Sequence, residues 1–273
     1  MSHPFHGRDA AALYVGEERT RRRSQALLSA KTSGRNIDEV ICAYADTTGL
    51  PDRPAIADIG CGQGRTTVRL ARHMPSASIT AIDASPAMAN AARERTRGHR
   101  VTVITGDFHA LPLRAASLDL AVAVMCLYHS PAPLLAIGEI ARTLRPHGAA
   151  ILVTKAADSY RELADLLTLS GLDPDAHQRP SLYENAHSGN LANLTEQGAL
   201  RVETVEHETH TFTFDDLAHT ASYLATCPQY QLPERLHHPH ALAAELRTRL
   251  SDKPITTTAT ITYVLARAGQ PTP

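Results

Sequence analysis

The sequence predicts an α/β fold with a doubly wound, mostly parallel sheet of seven strands, with N-terminal helices before the sheet and a helical cap insertion late in the chain. Short apolar runs alternate with helical segments between residues 55 and 154. These runs are almost continuously apolar, which is typical of parallel strands buried on both faces. The first run leads through Gly60, Gly62 and Gly64 into a helical segment, so its turn can bring backbone close to a ligand.

The order of the elements follows from hydrophobic periodicity and from helix-breaking residues. Ile37, Val40, Ile41 and Tyr44 share one helical face, and the Gly-Leu-Pro sequence at 49–51 ends that helix. Residues 17–32 and 181–197 are also predicted to be helical. The five core strands are predicted at 55–59, 78–82, 101–105, 118–124 and 149–153.

We expect a single domain over residues 1–273. Its predicted parts are helices in 1–50, a cofactor-binding core in 55–154, a cap with the sixth strand in 155–250 and a final strand in 256–267.

Composition narrows the function classes. The formal net charge of -1 argues against a nucleic-acid partner, which would favour a strong basic excess. No apolar run is long enough for a signal peptide core or a membrane span. The four cysteines show no C-x-x-C spacing, so we expect reduced thiols and a cytoplasmic setting. Arginine far outnumbers lysine, a bias that indicates a GC-rich bacterial gene.

Three predicted strands are followed by an acid, Asp58, Asp83 or Asp107. In an open parallel sheet these side chains meet at the carboxyl edge, where ligands bind. Three carboxylates disfavour a phosphate and suit a cationic ligand with an amino group, ribose hydroxyls and a purine amine. Asp83 can accept both ribose hydroxyls. Asp107 can accept from the adenine amine, while Phe108 covers the ring.

Five motifs cover residues 55–154: Asp58-Ile-Gly-Cys-Gly-Gln-Gly64, Ala81-Ile-Asp83-Ala-Ser-Pro86, Gly106-Asp107-Phe-His-Ala-Leu-Pro112, Ser117-Leu-Asp119-Leu-Ala-Val and Glu139-Ile-Ala-Arg-Thr-Leu-Arg-Pro-His-Gly148. In this order and spacing they resemble the motifs of class I S-adenosylmethionine-dependent methyltransferases that act on small molecules. The resemblance implies a Rossmann-like fold, S-adenosyl-L-methionine as cofactor and methyl transfer to an O, N or C nucleophile.

The resemblance also implies roles for individual residues. The methionine end of the cofactor would be held by Asp58, Gly60 and Gly62, the ribose by Asp83 with Ala84 beside it, and the adenine by Asp107 and Phe108, while Met125 and Cys126 would lie alongside the cofactor. Asp119 is expected to orient its strand rather than contact a ligand.

Two alternatives stay open. A nicotinamide-binding fold also combines a strand, glycines and a later acid, but its G-x-G-x-x-G pattern would require glycine where Arg65 stands. The chain could also bind S-adenosylmethionine without methyl transfer, either for a different reaction or as a regulatory or scaffold protein, because no catalytic residue is unambiguous.

The residues that bind the methyl acceptor are harder to identify from the sequence than those that bind the cofactor. His129, in Leu127-Tyr-His-Ser130, is the candidate base and Tyr128 a second candidate, although both can be packing residues. We expect a small-molecule acceptor, with a specialised metabolite preferred, no membrane partner, and a monomer or homodimer. The acceptor pocket is predicted to draw on Tyr14, Tyr183, His207, His210, Tyr223 and Tyr230.

Two clusters, one of arginines and one of histidines, have simple structural explanations. The basic run at 19–23 is expected to be a solvated helix face, with an anionic substrate group as the alternative. His237, His238 and His240 lie among prolines and lack a completing ligand, so we expect no metal there.

Overall fold

The chain folds around one eight-stranded sheet. The structure, a computed structural model, describes residues 17–269. The strand order across the sheet is β1-β7-β8-β6-β5-β2-β3-β4. The strands are β1 (Lys31–Ser33), β2 (Ala55–Ile59), β3 (Ser78–Asp83), β4 (Val101–Thr105), β5 (Leu118–Val124), β6 (Leu144–Lys155), β7 (Leu200–Phe214) and β8 (Ile255–Ala268).

The predicted α/β fold with a mostly parallel core is confirmed. Strands β2 to β6 are parallel, and β2 pairs with both β3 and β5. The chain order therefore reverses beside β2, and crevices form beyond the carboxyl ends of strands at such a switch point. Leu120 and its neighbours to Ala123 on β5 are fully buried, which explains why the sequence of this strand is continuously apolar.

The sheet has one strand more than the seven that we predicted. The helix predicted at 17–32 ends at Ala30. The residues that follow it form β1, which pairs antiparallel with β7. Strands β7 and β8 are antiparallel and 15 and 14 residues long. β1 has only 3 residues, so its pairing with a distant strand, rather than its own pattern, defines it.

Helices pack against the strands of the sheet. In the predicted helix 181–197 only the last turns are helical, because the chain up to Asn190 forms successive turns. The described helices are α1 (Glu17–Ala30), α2 (Ile37–Thr47), α3 (Arg65–His73), α4 (Pro86–Arg95), α5 (Pro133–Thr143), α6 (Arg161–Leu169), α7 (Leu191–Gln197), α8 (Leu217–Leu224) and α9 (Pro239–Arg247). None of the described helices combines the length and the apolar character that a membrane crossing requires.

Asp119 ties the start of β2 to β5 and β6. Its Oδ2 accepts a hydrogen bond from the backbone N–H of Ala55 at 2.8 Å, and its Oδ1 pairs with the Arg145 guanidinium at 2.5 Å. The Asp119 side chain is 14% exposed and that of Arg145 is 45% exposed, so the carboxylate is largely shielded while the guanidinium is open to water. The placement fits the predicted role of Asp119 in orienting its strand.

We expect Asp119→Ala to lower the free energy of unfolding by about 1–3 kcal/mol, because the N–H of Ala55 and the Arg145 guanidinium lose their acceptor. Urea unfolding measures the change. Asp119→Asn keeps one oxygen for Ala55 and should lose less. Equal losses in the two variants would contradict the assignment, as would no loss in Asp119→Ala.

Candidate active site

The glycine loop between β2 and α3 needs residues without side chains. Gly60, Gly62 and Gly64 have φ of 65°, 54° and 74°, in the left-handed region that favours glycine. A Cβ on Gly60 would lie 2.5 Å from the Cβ of Cys126, whereas one on Gly62 would meet no protein atom within 4 Å. The loop thus lies in close contact with the segment after β5 at Gly60, whereas there is free space next to Gly62.

Asp83, at the end of β3, holds the glycine loop in place. Its Oδ2 accepts from the N–H of Gly62 at 2.8 Å, and its Oδ1 accepts from the N–H of Ser85 at 2.9 Å. Burial raises the pKa of Asp83, and these two hydrogen bonds oppose the rise. Because each carboxylate oxygen has a second lone pair, Asp83 can still accept two ligand hydroxyls.

Asp107 is exposed at the same edge, with 64% of its side chain accessible. Its Oδ1 accepts from the N–H of His109 at 2.9 Å and lies 2.7 Å from the ring Nδ1. Partial burial raises the pKa of Asp107, but the hydrogen bonds from His109 outweigh it and lower the pKa. The Phe108 ring is 4.6 Å from that of His109, so the predicted adenine-binding pair is braced by a third side chain.

His109 connects this acid to the turn that follows β5. The other ring nitrogen, Nε2, lies 2.6 Å from Ser130 Oγ. Ser130 is fully buried, and its carbonyl oxygen accepts from Asn185 Nδ2 at 2.6 Å. We did not identify His109 from the sequence. Its position two residues after Asp107 was the available signal.

Asp58, at the end of β2, points into the protein. Its side chain is 1% exposed, and its Oδ2 accepts from Thr67 Oγ1 on α3 at 2.5 Å. Burial raises the pKa of Asp58 to about 7, although the bond from Thr67 opposes the rise. The carboxyl of Asp58 therefore joins β2 to α3 beneath the glycine loop.

The segment after β5, which includes Met125 and Cys126, runs alongside the glycine loop. Met125 has φ of 54°, and its N–H donates to the carbonyl of Val153 on β6 at 2.8 Å. Cys126 is buried and its Sγ donates to the carbonyl of Ile59 at 3.2 Å. Burial raises the pKa of Cys126 and of Cys61, so both are neutral thiols. All four cysteines are free.

Comparison with known proteins agrees with this geometry. Residues 56–148 match the protein family described as "Methyltransferase domain". Malonyl-[acyl-carrier protein] O-methyltransferase of Paenibacillus sp. (strain JDR-2) is 29% identical over 149 residues, 51% of this chain and 54% of that protein. The enzyme of the same name from Herminiimonas arsenicoxydans is 34% identical over 42% of this chain and 43% of that protein. The chain spans about half the length of these relatives.

Residues 56–148 form a methyltransferase domain of the class I S-adenosylmethionine-dependent type. The fold of the chain is also that of a SAM dependent methyltransferase from Aquifex aeolicus, with a TM-score of 0.53, 14% identity and coverage of 92% of this chain and 99% of that one. The [4+2]-cyclase SpnF has the same fold, with a TM-score of 0.55, 21% identity and coverage of 85% and 81%.

S-adenosylmethionine is the cofactor of these methyltransferases, and the edge residues of this chain fit it. The loop offers space at Gly62 that a side chain would fill, and the neighbouring acids are acceptors for ribose hydroxyls and an amine. A cation is favoured beside the carboxylates of Asp83 and Asp107. At this edge Asp83 and Asp107 would hold the adenosyl part, while the N–H groups and open backbone of the loop would face the methionine part.

A cluster of buried tyrosines lies near the segment that follows β5. Tyr128, in the 3-10 turn Leu127–His129, contacts Tyr183 edge-to-face, with ring centroids 4.9 Å apart. The ring of His129 lies 4.4 Å from that of Tyr128. Tyr223 packs on Tyr160 at 5.9 Å. The structure thus brings the predicted Tyr128, His129 and Tyr183 together after β5.

A cavity of about 320 Å³ opens beside this cluster. Tyr160, Tyr183 and the predicted Tyr230 line it, together with Ser159 and Arg179. Its volume lies within the usual range of small-ligand pockets. Ser159 Oγ and Arg179 Nε are buried there without a hydrogen-bond partner among the described residues.

The remaining predicted acceptor residues lie elsewhere. His207 is exposed on β7 and its Nδ1 lies 2.7 Å from Thr262 Oγ1. His210 is buried on the opposite face of that strand, packed against Gly34, with its pKa lowered mainly by burial. Tyr14 lies outside the described residues. Alternation along β7 separates the two histidines, and the sequence could not place the strand's faces.

The His237, His238 and His240 side chains are exposed around the start of α9. Within residues 17–269 no group of three His, Cys, Asp or Glu side chains is placed to hold a metal ion.

The two loop glycines should respond differently to alanine. Gly60→Ala should destabilise the fold by about 1–3 kcal/mol, because its Cβ would overlap Cys126. Gly62→Ala should cost only about 1 kcal/mol of backbone strain, but should weaken binding of S-adenosylhomocysteine. Thermal unfolding and titration calorimetry measure both. Adding Cys126→Gly should restore stability to Gly60→Ala; absence of rescue would contradict the contact.

Asp58 should make stability depend on pH. Between about pH 4 and about pH 7 the folded protein retains a proton that the unfolded chain has released, so the contribution of Asp58 to stability falls as the pH rises and is lost above its folded pKa. Asp58→Asn removes this dependence while keeping an acceptor for Thr67. Urea unfolding from pH 4.5 to 8 should show the variant gaining on the wild type; a constant difference would contradict the assignment.

Proposed function

We propose that the protein transfers a methyl group from S-adenosylmethionine to an O, N or C nucleophile of a small molecule, with a specialised metabolite as the preferred acceptor. The observation that carries the proposal is the carboxyl edge, where the glycine loop is bonded to Asp83 and lies beside Asp107. Family membership over residues 56–148 supports the same reaction.

The cofactor supplies an electrophilic methyl group on a sulfonium sulfur, and the sulfur leaves as a neutral thioether when the acceptor forms its new bond to carbon. The protein aligns the acceptor with that methyl group and excludes water, which can account for several kcal/mol of barrier lowering. Tyr128 and Tyr183 are buried beside the segment after β5, so they would form an apolar wall around the acceptor.

His129 is the candidate for proton removal from the acceptor. It directly follows Tyr128 in the 3-10 turn after β5. Met125 and Cys126 precede this turn and lie alongside the glycine loop. A positioned base adds about 10²–10⁴-fold to a reaction that requires proton removal. An acceptor that is already an anion would not need it.

The second candidate function is S-adenosylmethionine binding without methyl transfer, either in a different reaction or in a regulatory or scaffold role. The fold does not decide between the two, because the [4+2]-cyclase SpnF has the same fold. The reaction must therefore be tested directly.

Calorimetric titration with S-adenosylhomocysteine tests the cofactor site. We expect Asp83→Asn to weaken binding by about tenfold or more, because a charged acceptor for ribose hydroxyls is lost. Asp215→Asn is the matched control, since its side chain is 88% exposed and belongs to the segment before α8. No binding to the wild type would refute the proposal, and equal affinity of Asp83→Asn would refute the ribose assignment.

Mass spectrometry with S-adenosylmethionine carrying a trideuterated methyl group tests the transfer. Acceptor candidates should include products of neighbouring biosynthetic genes and a malonyl thioester, because two relatives are named malonyl-[acyl-carrier protein] O-methyltransferases. A labelled methyl group on the acceptor, with release of S-adenosylhomocysteine, supports methyl transfer. Cofactor binding with conversion of an acceptor but without label would favour the second candidate function.

A further inference from the structure

Lys155, the last residue of β6, is surrounded by aromatic side chains. Its Nζ donates to the hydroxyl of Tyr160 at 2.8 Å. The same atom lies 4.7 Å from the ring centroid of Tyr160 and 5.6 Å from that of Tyr183. Cations bind to aromatic rings at such distances, and the interaction strengthens when water is excluded.

Within residues 19–269 this ammonium group has a positive neighbour, Arg23 on α1, and forms no ion pair with a carboxylate. Burial and, to a smaller extent, the charge of Arg23 lower the pKa of Lys155 to about 7. A buried cation without a counter-charge is costly, so an anion bound next to it would be stabilised.

The position of Lys155 is suited to an acceptor. β6 lies next to β5 and parallel to it, so both carboxyl ends lie at the cofactor edge. Met125 after β5 donates to Val153, two residues before Lys155. Tyr160 and Tyr183, which contact Lys155, also line the 320 Å³ cavity. Lys155 keeps partial solvent exposure, so an acceptor that packs on these rings can direct an anionic oxygen to its ammonium group.

The backbone of Tyr160 supports a built site. Tyr160 precedes α6 with φ of 66° and is 1% exposed. Such a conformation is strained for a bulky residue and is maintained only where the surroundings require it. Here the N–H of Tyr160 donates to the carbonyl of Thr258 at 2.8 Å, and the ring packs on Phe212 at 5.5 Å. These contacts fix the hydroxyl that receives the Lys155 hydrogen bond.

We propose that Lys155 binds an anionic oxygen of an aromatic acceptor, a carboxylate or a phenolate, with Tyr160 orienting the ammonium group and Arg23 adding positive charge. The inference deepens the proposed function and rests on it, since it names the class of molecule that the methyltransferase accepts. It also gives the basic run at 19–23 a role at one position, because the charge of Arg23 acts on Lys155 while Arg21 and Arg22 are exposed.

Two pairs of probes test the inference: benzoate against benzamide, and 4-nitrophenolate against nitrobenzene. Each is titrated by calorimetry into the wild type with saturating S-adenosylhomocysteine and again without it. We expect at least one anion to bind about tenfold more tightly than its neutral counterpart. The preferred pair distinguishes a carboxylate site from a phenolate site.

Variants assign the preference to Lys155. Lys155→Met should remove it, Lys155→Arg should retain part of it, and Tyr160→Phe should reduce it several-fold. Lys253→Met is the matched control because Lys253 is exposed after α9. Thermal unfolding of each variant verifies folding, and Lys155→Arg keeps the test informative if Lys155→Met does not fold.

The outcomes separate this inference from the proposed function. If neither anion is preferred by the wild type, or if Lys155→Met keeps the full preference, the inference is overturned even when S-adenosylhomocysteine binds. If S-adenosylhomocysteine does not bind, the proposed function fails, and a preference for an anion measured without it would show that the Lys155 site exists independently.

Discussion

The structure depends on one close approach, that of the glycine loop to the segment after β5. β2 and β5 are parallel, with Ile59 opposite Ala123, so their continuations run side by side. A side chain at Gly60 would overlap Cys126, so only glycine allows both continuations to follow this path. The same loop is held from the other side by Asp83, which accepts from Gly62. The cofactor edge is therefore shaped by backbone between two strands rather than by mobile side chains.

A chain of hydrogen bonds joins this edge to the cap. Asp107 accepts from His109, whose ring contacts Ser130, and the carbonyl of Ser130 accepts from Asn185. Ser130 ends the turn that also includes Tyr128. The acid proposed to bind adenine and the residues proposed to face the acceptor are thus connected through directional polar contacts, which fix relative positions more strictly than apolar packing alone.

The sequence predicted what depends on local pattern and left out what depends on distant partners. Apolar runs identified the five core strands, and chain order placed Asp58, Asp83 and Asp107 at one edge. β1 could not be predicted because Lys31–Ser33 is defined by pairing with β7. Lys155 was passed over for a similar reason: its significance comes from Tyr160, Tyr183 and Arg23, which only the fold brings near it. The faces of His207 and His210 likewise depend on how β7 sits in the sheet.

The two proposals together describe a site with divided charge. Asp83 and Asp107 form an acidic edge suited to a cationic donor, while Lys155 and Arg23 form a basic wall suited to an anionic acceptor. Transfer of a methyl group from a cation to an anion neutralises both, so a medium that solvates charge poorly favours the products. The buried tyrosines next to Lys155 provide such a medium. An acceptor that arrives ionised also reduces the need for a base, which explains how His129 could serve as part of the wall rather than as a proton acceptor.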